Sequence, residues 1–268
     1  MRKNSLRELL DSGAPSIGTR LHSSWPTIIE LVGLSGGIDY VEILAEYAPY
    51  DPFSLENQGR AIELFDHLTG MVKVPQESRS HVAVRALNAG IQNVLFADVR
   101  CPADAEECVR AVRAESPSTG GRRGVGQGRD VRMVMEVGTP AYVQSTAQSV
   151  VALMIEKKEA IENLESILAV PGVDMVQFGP ADYAMSLGVT GERNHPAVRE
   201  AHLHMIDTAI RMGVHPRAEI AAPDAAAEHI ERGVRHFCMG TDVRILHTWY
   251  LTQGARLRSR LGGEPTSS

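Results

Sequence analysis

The sequence is short of the residues that would mark it for a disulfide scaffold, a membrane or a nucleic acid. Cysteine occurs only 3 times in 268 residues, as Cys101, Cys108 and Cys238. With no CxxC pair and no even set, a disulfide framework is excluded, and reduced thiols in a cytoplasm are the simplest reading. No apolar run approaches the roughly 20 residues of a membrane span. The opening "MRKNSLRELLDSG" lacks the apolar centre of a secretory signal. Positive charge is also scarce. Lys and Arg number 27 against 33 Asp and Glu, a formal net charge of −6, which argues against nucleic acid or an anionic membrane as a partner. His22, His67, His81 and His195 show no HxxxH spacing, so no zinc site is expected.

What is present is an ordinary globular composition, 43% hydrophobic and 22% charged, patterned as alternating short apolar runs and amphipathic segments. The spacing predicts strands over 16–20, 40–44, 71–74, 93–97, 150–155, 175–178, 217–220 and 236–239. Between them lie helix signals. Asp51-Pro52 precedes "LENQGRAIELF", and Ser78 opens "SRSHVAVRALNAG" with Gly90 as a left-handed stop. Pro102 opens "PADAEECVRAVR", with Cys101 in a cap position, and 158–168 has a helical apolar period. Pro196 opens another helix, and 243–261 forms the last. Strands alternating with helices predict a parallel sheet. Eight units in a chain near the typical ~250 residues predict a closed (β/α)8 TIM barrel over 1–262, with 263–268 as a disordered tail. An open doubly wound sheet is the alternative. The segment 116–130, "SPSTGGRRGVGQGRD", reads as a loop. Its "GVGQGR" follows no strand and lacks the Lys-Ser/Thr of a P-loop. Arg122, Arg123, Arg129 and Arg132 around it read as a solvated face.

In such a barrel the chemistry lies where strands run into the following loops. Those ends carry Arg20, Glu46 with Tyr47, Lys73, Asp98, Glu156, Asp182, Glu219 and Asp242. Glu156 follows "VVALMI" and Asp182 follows "MVQFGPA", the ends of consecutive and therefore neighbouring strands. Two such carboxylates can share a hard divalent cation, with other positions left to water and a chelating substrate. The alternative is that each acid caps a helix or pairs with a Lys or Arg.

The stretch "MIEKKEAIENLESILAVPGVDMVQFGPADYAMSLGVTGERNHPAVREA" resembles the pyruvate-dependent class II aldolases of the 4-hydroxy-2-oxoheptanedioate and 2-dehydro-3-deoxyglucarate aldolase family. The shared pattern is an acid after a strand, "A-x-x-N-L-x-x-I-L-x-V-x-G-V-D", "G-P-A-D" and "H-P-x-V". Weaker similarity reaches "GIDYVEILAEYAP" and "GRRGVG". The resemblance implies a (β/α)8 barrel and carbon–carbon lyase activity on a 2-oxo acid such as pyruvate, with an aldehyde as possible partner. It also implies a divalent cation (Mg²⁺, Mn²⁺ or Co²⁺) on Glu156 and Asp182, and a homohexamer or dimer-based assembly through the last helix. It places a substrate carboxylate at the backbone N–H groups of Ala181 and Asp182, in a turn shaped by Gly179 and Pro180.

The departures are specific. The family motif I-D-G-E-H-A-P appears as Ile43-Leu44-Ala45-Glu46-Tyr47-Ala48-Pro49, so Tyr47 stands for the acid/base His and Leu44 for its Asp. Lys73 stands for the Arg at the keto oxygen, Met154 for a Gln, and Arg20 for an aromatic. Lys73 or Arg20 is expected to supply positive charge at the keto oxygen. Tyr47 can relay a proton if Lys73 or the metal lowers its pKa, and is otherwise a pocket wall. Glu42, sharing a strand face with Leu44, either replaces the lost acid or forms a buried ion pair with Lys73 or Arg20. Two other functions fit the same residues. One is a Schiff base on Lys73. The other is a non-catalytic relative that binds a metal-ligand complex.

Overall fold

The structure, a computed structural model, describes residues 2–263. Eight parallel strands close on themselves in chain order, β1 against β2 through to β8 against β1. The strands are β1 Ser16–Leu21, β2 Tyr40–Leu44, β3 Thr69–Val74, β4 Asn93–Phe96, β5 Val151–Ile155, β6 Met175–Phe178, β7 His215–Ile220 and β8 His236–Thr241. The closed barrel, not the open sheet, is what the chain forms. The helices before β5 are α1 Ser5–Asp11, α2 Pro26–Ser35, α3 Pro52–Ile62, α4 Arg79–Asn88, α5 Pro102–Val112 and α6 Pro140–Ala147. Those after it are α7 Lys158–Glu162, α8 Leu164–Leu168, α9 Pro180–Leu187, α10 Pro196–Met212, α11 Ala227–Glu231 and α12 Asp242–Arg260.

Local chemistry explains most boundaries. Asp51 caps α3 by accepting from the Ser54 N–H at 2.8 Å, while the Ser54 hydroxyl accepts from the Asp51 N–H at 2.9 Å, a reciprocal pair that leaves two fewer orphan donors. Cys101 is the N-cap residue of α5, and Asp104 accepts from both the Arg100 and Cys101 N–H groups. The expected single helix over 158–168 breaks at Asn163, whose side chain donates to Arg100 O and Glu159 O. The Asn side chain there competes with the helical ladder. The long connection from β4 to β5 is irregular through 116–128, as expected, but then includes a short 3₁₀ turn and α6. Of the four arginines of this stretch, Arg122 and Arg132 are exposed as expected, but Arg123 and Arg129 are not. Arg123 is buried and pairs with Asp130 and Asn88, and Arg129 pairs with Glu63. Of the expected tail, 264–268 lies outside the described residues.

The period of two divides each strand between two cores. Val41, Ile43, Val72, Val94, Val151, Leu153 and Val176 face outward and join the core beneath the helices. Tyr40, Met71, Leu95, Ala152, Met154 and Met175 face the barrel interior, where Leu6 and Leu10 of α1 pack with them and plug the N-terminal end. Gly18 is required here: a Cβ on it would lie 2.3 Å from the Tyr40 ring that fills the barrel. At the same end the Ser16 hydroxyl meets His236 Nδ1 at 2.9 Å, and His236 Nε2 meets His215 Nδ1 at 3.2 Å. Burial pushes His236 down to about 4, with the neighbouring His215 adding to the shift.

One layer of the interior is ionic. Glu42 and Arg217, both about 1% exposed, pair inside the barrel, with Arg217 Nη1 also against Met71 Sδ at 2.9 Å. The Arg217 guanidinium lies 5.6 Å from the Tyr40 ring centroid. The expectation that Glu42 replaces the missing acid, or pairs with Lys73 or Arg20, is therefore corrected. Arg217, contributed by β7 across the barrel, takes it.

Candidate active site

The strand period also decides what reaches the mouth. Arg20, Lys73, Glu156, Gly179 and Glu219 occupy the inward register at the C-terminal ends of β1, β3, β5, β6 and β7, with Glu46 and Tyr47 just beyond β2. The structure brings these together. Lys73 Nζ lies 2.6 Å from Glu46 Oε2 and donates to the Tyr47 hydroxyl at 2.7 Å, with the ammonium 4.7 Å from the Tyr47 ring centroid. Burial works against the Lys73 ammonium. The carboxylate of Glu156, with Tyr47 and Glu46, outweighs it and holds the lysine above its ordinary pKa. A Schiff-base nucleophile needs a neutral amine, so these surroundings oppose that use of Lys73. Tyr47 is exposed as a residue, but its hydroxyl turns inward. Its burial there, only partly offset by Lys73, pushes the phenol up to about 12. The expected lowering by Lys73 is present but loses to burial.

On the next side of the mouth, Arg20 Nη1 meets Glu219 Oε2 at 2.5 Å, and Gln177 Nε2 approaches the same oxygen at 3.4 Å. Arg20 is thus committed to β7 and makes no contact with Lys73 among the described residues. Asp242 is a structural acid: its carboxylate accepts from the His22 and Ser23 N–H groups at 2.8 and 2.9 Å, tying the exit of β1 to the start of α12.

Glu156 and Asp182 follow the neighbouring strands β5 and β6. Glu156 is 2% exposed, and its Oε1 accepts from the Asp98 N–H at 2.9 Å. Gly179 makes room for it, since a Cβ there would fall 2.5 Å from Glu156 Oε2. The "GPAD" segment is not a free turn but the start of α9, with Gly179 as N-cap residue and Pro180 first in the helix. Among the described residues the Asp182 side chain accepts from Lys157 and from no backbone N–H. It stands in the first helical turn, where the aligned peptide dipoles favour a carboxylate. The N–H groups of Ala181 and Asp182 belong to that same unpaired first turn and are available to an anion. Lys157 Nζ lies 2.6 Å from Asp98 Oδ1 and 3.5 Å from Asp182 Oδ1. Burial pushes the Glu156 carboxyl up to about 7, with Lys73 and the Asp98 N–H pulling it down and the carboxylates of Asp182 and Asp98 adding to the rise.

Glu46 has Lys73, Glu219 has Arg20, and Asp98 has Lys157, each within 2.6 Å. Among the described residues Glu156 has no ion pair, and Asp182 has only the longer contact with Lys157. Glu156 feels Lys73 only from beyond ion-pair distance, and Asp182 shares Lys157 with Asp98, so the two carboxylates are only partly neutralised and a divalent ion would supply the rest. No cluster of three His, Cys, Asp or Glu is present among the described residues. Two protein carboxylates suit a hard cation that keeps water or substrate oxygens in its remaining positions. Lys157 and the side chain of Asp98 are the parts of this site that sequence reasoning missed. Asp98 stood at a strand end, but nothing local showed that Lys157 reaches back to it.

The profile of the HpcH/HpaI aldolase/citrate lyase family matches residues 57–247, which include β3 to β8 and all the acidic groups at the mouth except Glu46. The chain belongs to that family. It is 32% identical over 249 residues to a hydroxypyruvate/pyruvate aldolase of Paraburkholderia phytofirmans, covering 90% of this chain and 92% of that protein. It is 31% identical over 266 residues to a 4-hydroxy-2-oxo-heptane-1,7-dioate aldolase of Escherichia coli, covering 99% and 97%. Among solved structures, an HpcH/HpaI aldolase/citrate lyase family protein from Burkholderia cenocepacia superposes with a TM-score of 0.86 at 31% identity, over 96% of this chain and all of that one.

Proposed function

We propose that this member of the family is a divalent-cation-dependent carbon–carbon lyase that cleaves or forms a bond next to the keto group of a 2-oxo acid. The observation that carries the reading is the pair Glu156 and Asp182 at the C-terminal mouth of the barrel, with no ion pair on Glu156 among the described residues and only the 3.5 Å contact with Lys157 on Asp182. These two side chains would hold the ion, with Mg²⁺, Mn²⁺ and Co²⁺ as candidates. Bound there, it supplies Lewis acidity toward the negative charge that develops on the substrate. The names of the relatives, aldolases of pyruvate and of a 2-oxo dicarboxylate, support a small 2-oxo acid with an aldehyde partner.

The chain's own groups divide the remaining work. The N–H groups of Ala181 and Asp182, in the bend formed by Gly179 and Pro180, bind the substrate carboxylate. Lys73, held as an ammonium, donates to the keto oxygen and is worth more as that oxygen becomes an enolate. Glu46 accepts the hydroxyl proton in the cleavage direction. The carbon–carbon bond then breaks, the alcohol carbon leaving as the aldehyde and the bond's electron pair passing toward the keto carbon as an enolate, and the protonated Glu46 returns its proton to the enolate carbon. Tyr47 keeps its proton and orients Lys73 and Glu46. Arg20 lines the far wall through Glu219.

Assembly and location belong to the same proposal. α12 buries only Asp242 of its nineteen residues. Trp249, Tyr250, Leu251 and Leu257 are each about 60% exposed along it. That surface supports a homo-oligomer joined through α12, with a hexamer as the expected size. The free thiols of Cys101, Cys108 and Cys238 support a reducing, cytoplasmic setting.

The reading is tested by following deuterium entry into the methyl group of pyruvate by NMR, with saturating Mn²⁺ or Mg²⁺ and with EDTA. Exchange that requires the metal and disappears in Glu156→Gln is expected. Exchange that persists in EDTA would reject it.

A further inference from the structure

We propose that Lys157 is a positioning residue for the cation site: a tethered ammonium that holds Asp98 out of the coordination sphere and so sets the charge presented to the ion. The inference rests on the reading above that Glu156 and Asp182 hold a divalent cation. It goes beyond that reading by giving work to a side chain and an ion pair that neither binds the ion nor touches the substrate.

The geometry is a closed circuit. Glu156 accepts from the backbone of Asp98 at 2.9 Å. The side chain of Asp98 meets Lys157 at 2.6 Å, and Lys157 reaches Asp182 at 3.5 Å. Lys157 is the residue next to Glu156, so both ligands and their regulator are fixed to one strand exit and the helix start beside it. Asp98 adopts a left-handed backbone, φ 56°. Asp and Asn tolerate that conformation better than most residues because their short polar side chains bond locally. Here it turns the Asp98 N–H toward Glu156 and its carboxylate toward Lys157. The Lys157 side chain is only 12% exposed and that of Asp98 24%, so solvent screens the pair far less than a surface ion pair.

The consequence is a balance of opposing charges. With Lys157 on Asp98, the ion meets the two carboxylates of Glu156 and Asp182. Without the ammonium, Asp98 becomes a third, unpaired carboxylate at the edge of the site, and attraction for the ion increases. Without the Asp98 carboxylate, the ammonium has only Asp182 to bind, where it competes with the ion directly. The two halves of one ion pair therefore act on metal affinity with opposite signs. A merely structural pair would not do this, because breaking it from either end would loosen the same site.

The experiment is Mn²⁺ titration of the full-length protein by calorimetry, without substrate, at pH 8. Lys157→Met is expected to bind Mn²⁺ about tenfold more tightly than the native protein, and Asp98→Asn about tenfold more weakly. Asn retains the left-handed turn, so its effect reads the charge and not the backbone. The double substitution Lys157→Met with Asp98→Asn restores the charge balance and should return within about threefold of native. Lys157→Arg keeps the cation and should stay close to native. Shifts of the same sign in the two single variants, or none in either, would overturn the proposal while leaving the metal site intact. Native protein that binds no Mn²⁺ at millimolar concentration would overturn the metal reading and this inference together.

Discussion

Glu42 and Arg217 neutralise each other in the middle of the barrel, 175 residues apart in sequence and almost completely shut off from water. Removing one partner strands the other charge in a place where solvation cannot recover it. Glu42→Gln is therefore expected to destabilise the protein by about 3–5 kcal/mol. Joining it to Arg217→Met should recover most of that loss, since an apolar replacement of both charges leaves nothing unpaired. Urea unfolding midpoints of the two single variants and the double variant measure this. A Glu42→Gln protein as stable as native would mean that the pair contributes nothing.

Lys73 is expected to act on turnover. Lys73→Met should lower kcat on the order of 10²-fold or more, by comparison with other donors aimed at developing oxyanions. Lys73→Arg should recover part of it, because the charge returns with a different shape. Borohydride with pyruvate should trap no adduct. A trapped adduct on Lys73, or full activity in Lys73→Met, contradicts the assignment.

The stability of the fold is expected to fall in mild acid. His236 is held neutral, its pKa lowered to about 4 by burial and by His215. The unfolded chain binds a proton near the ordinary value of 6.5 and the folded one does not. Stability is therefore full above about pH 6.5 and is lost as the pH falls from there toward 4. By pH 5 the loss from this group is on the order of 2 kcal/mol. His236→Gln should flatten that slope, read as urea midpoints between pH 7.5 and 5.

The strands and the mouth were largely legible in the sequence because both depend on local pattern. Val41 and Ile43, or Val151 and Leu153, alternate with inward residues, and glycine, proline or an acid stops each run. α1 was not legible: "SLRELLD" offers only Leu6 and Leu10 as buried residues, too few to show a period. The α7–α8 break depends on Asn163 reaching Arg100 across the neighbouring unit, which no local pattern reports. Arg217 and Lys157 were missed for the same reason. Each side chain is assigned by a partner from another βα unit, and barrel closure, not spacing, creates those partners.

α12 carries the assembly prediction. Leu246→Glu with Tyr250→Glu should lower the mass of the native oligomer in light scattering at micromolar concentration, while circular dichroism of the barrel is unchanged. Native protein that is already monomeric under those conditions contradicts it.

The central claim is that Glu156 and Asp182 share one divalent cation. Anomalous diffraction from a crystal soaked in Mn²⁺ tests it most directly. The account predicts a single strong peak within coordination distance of both carboxylates, absent in Glu156→Gln. A map with no peak between them, or with the ion held elsewhere at the mouth, would contradict it.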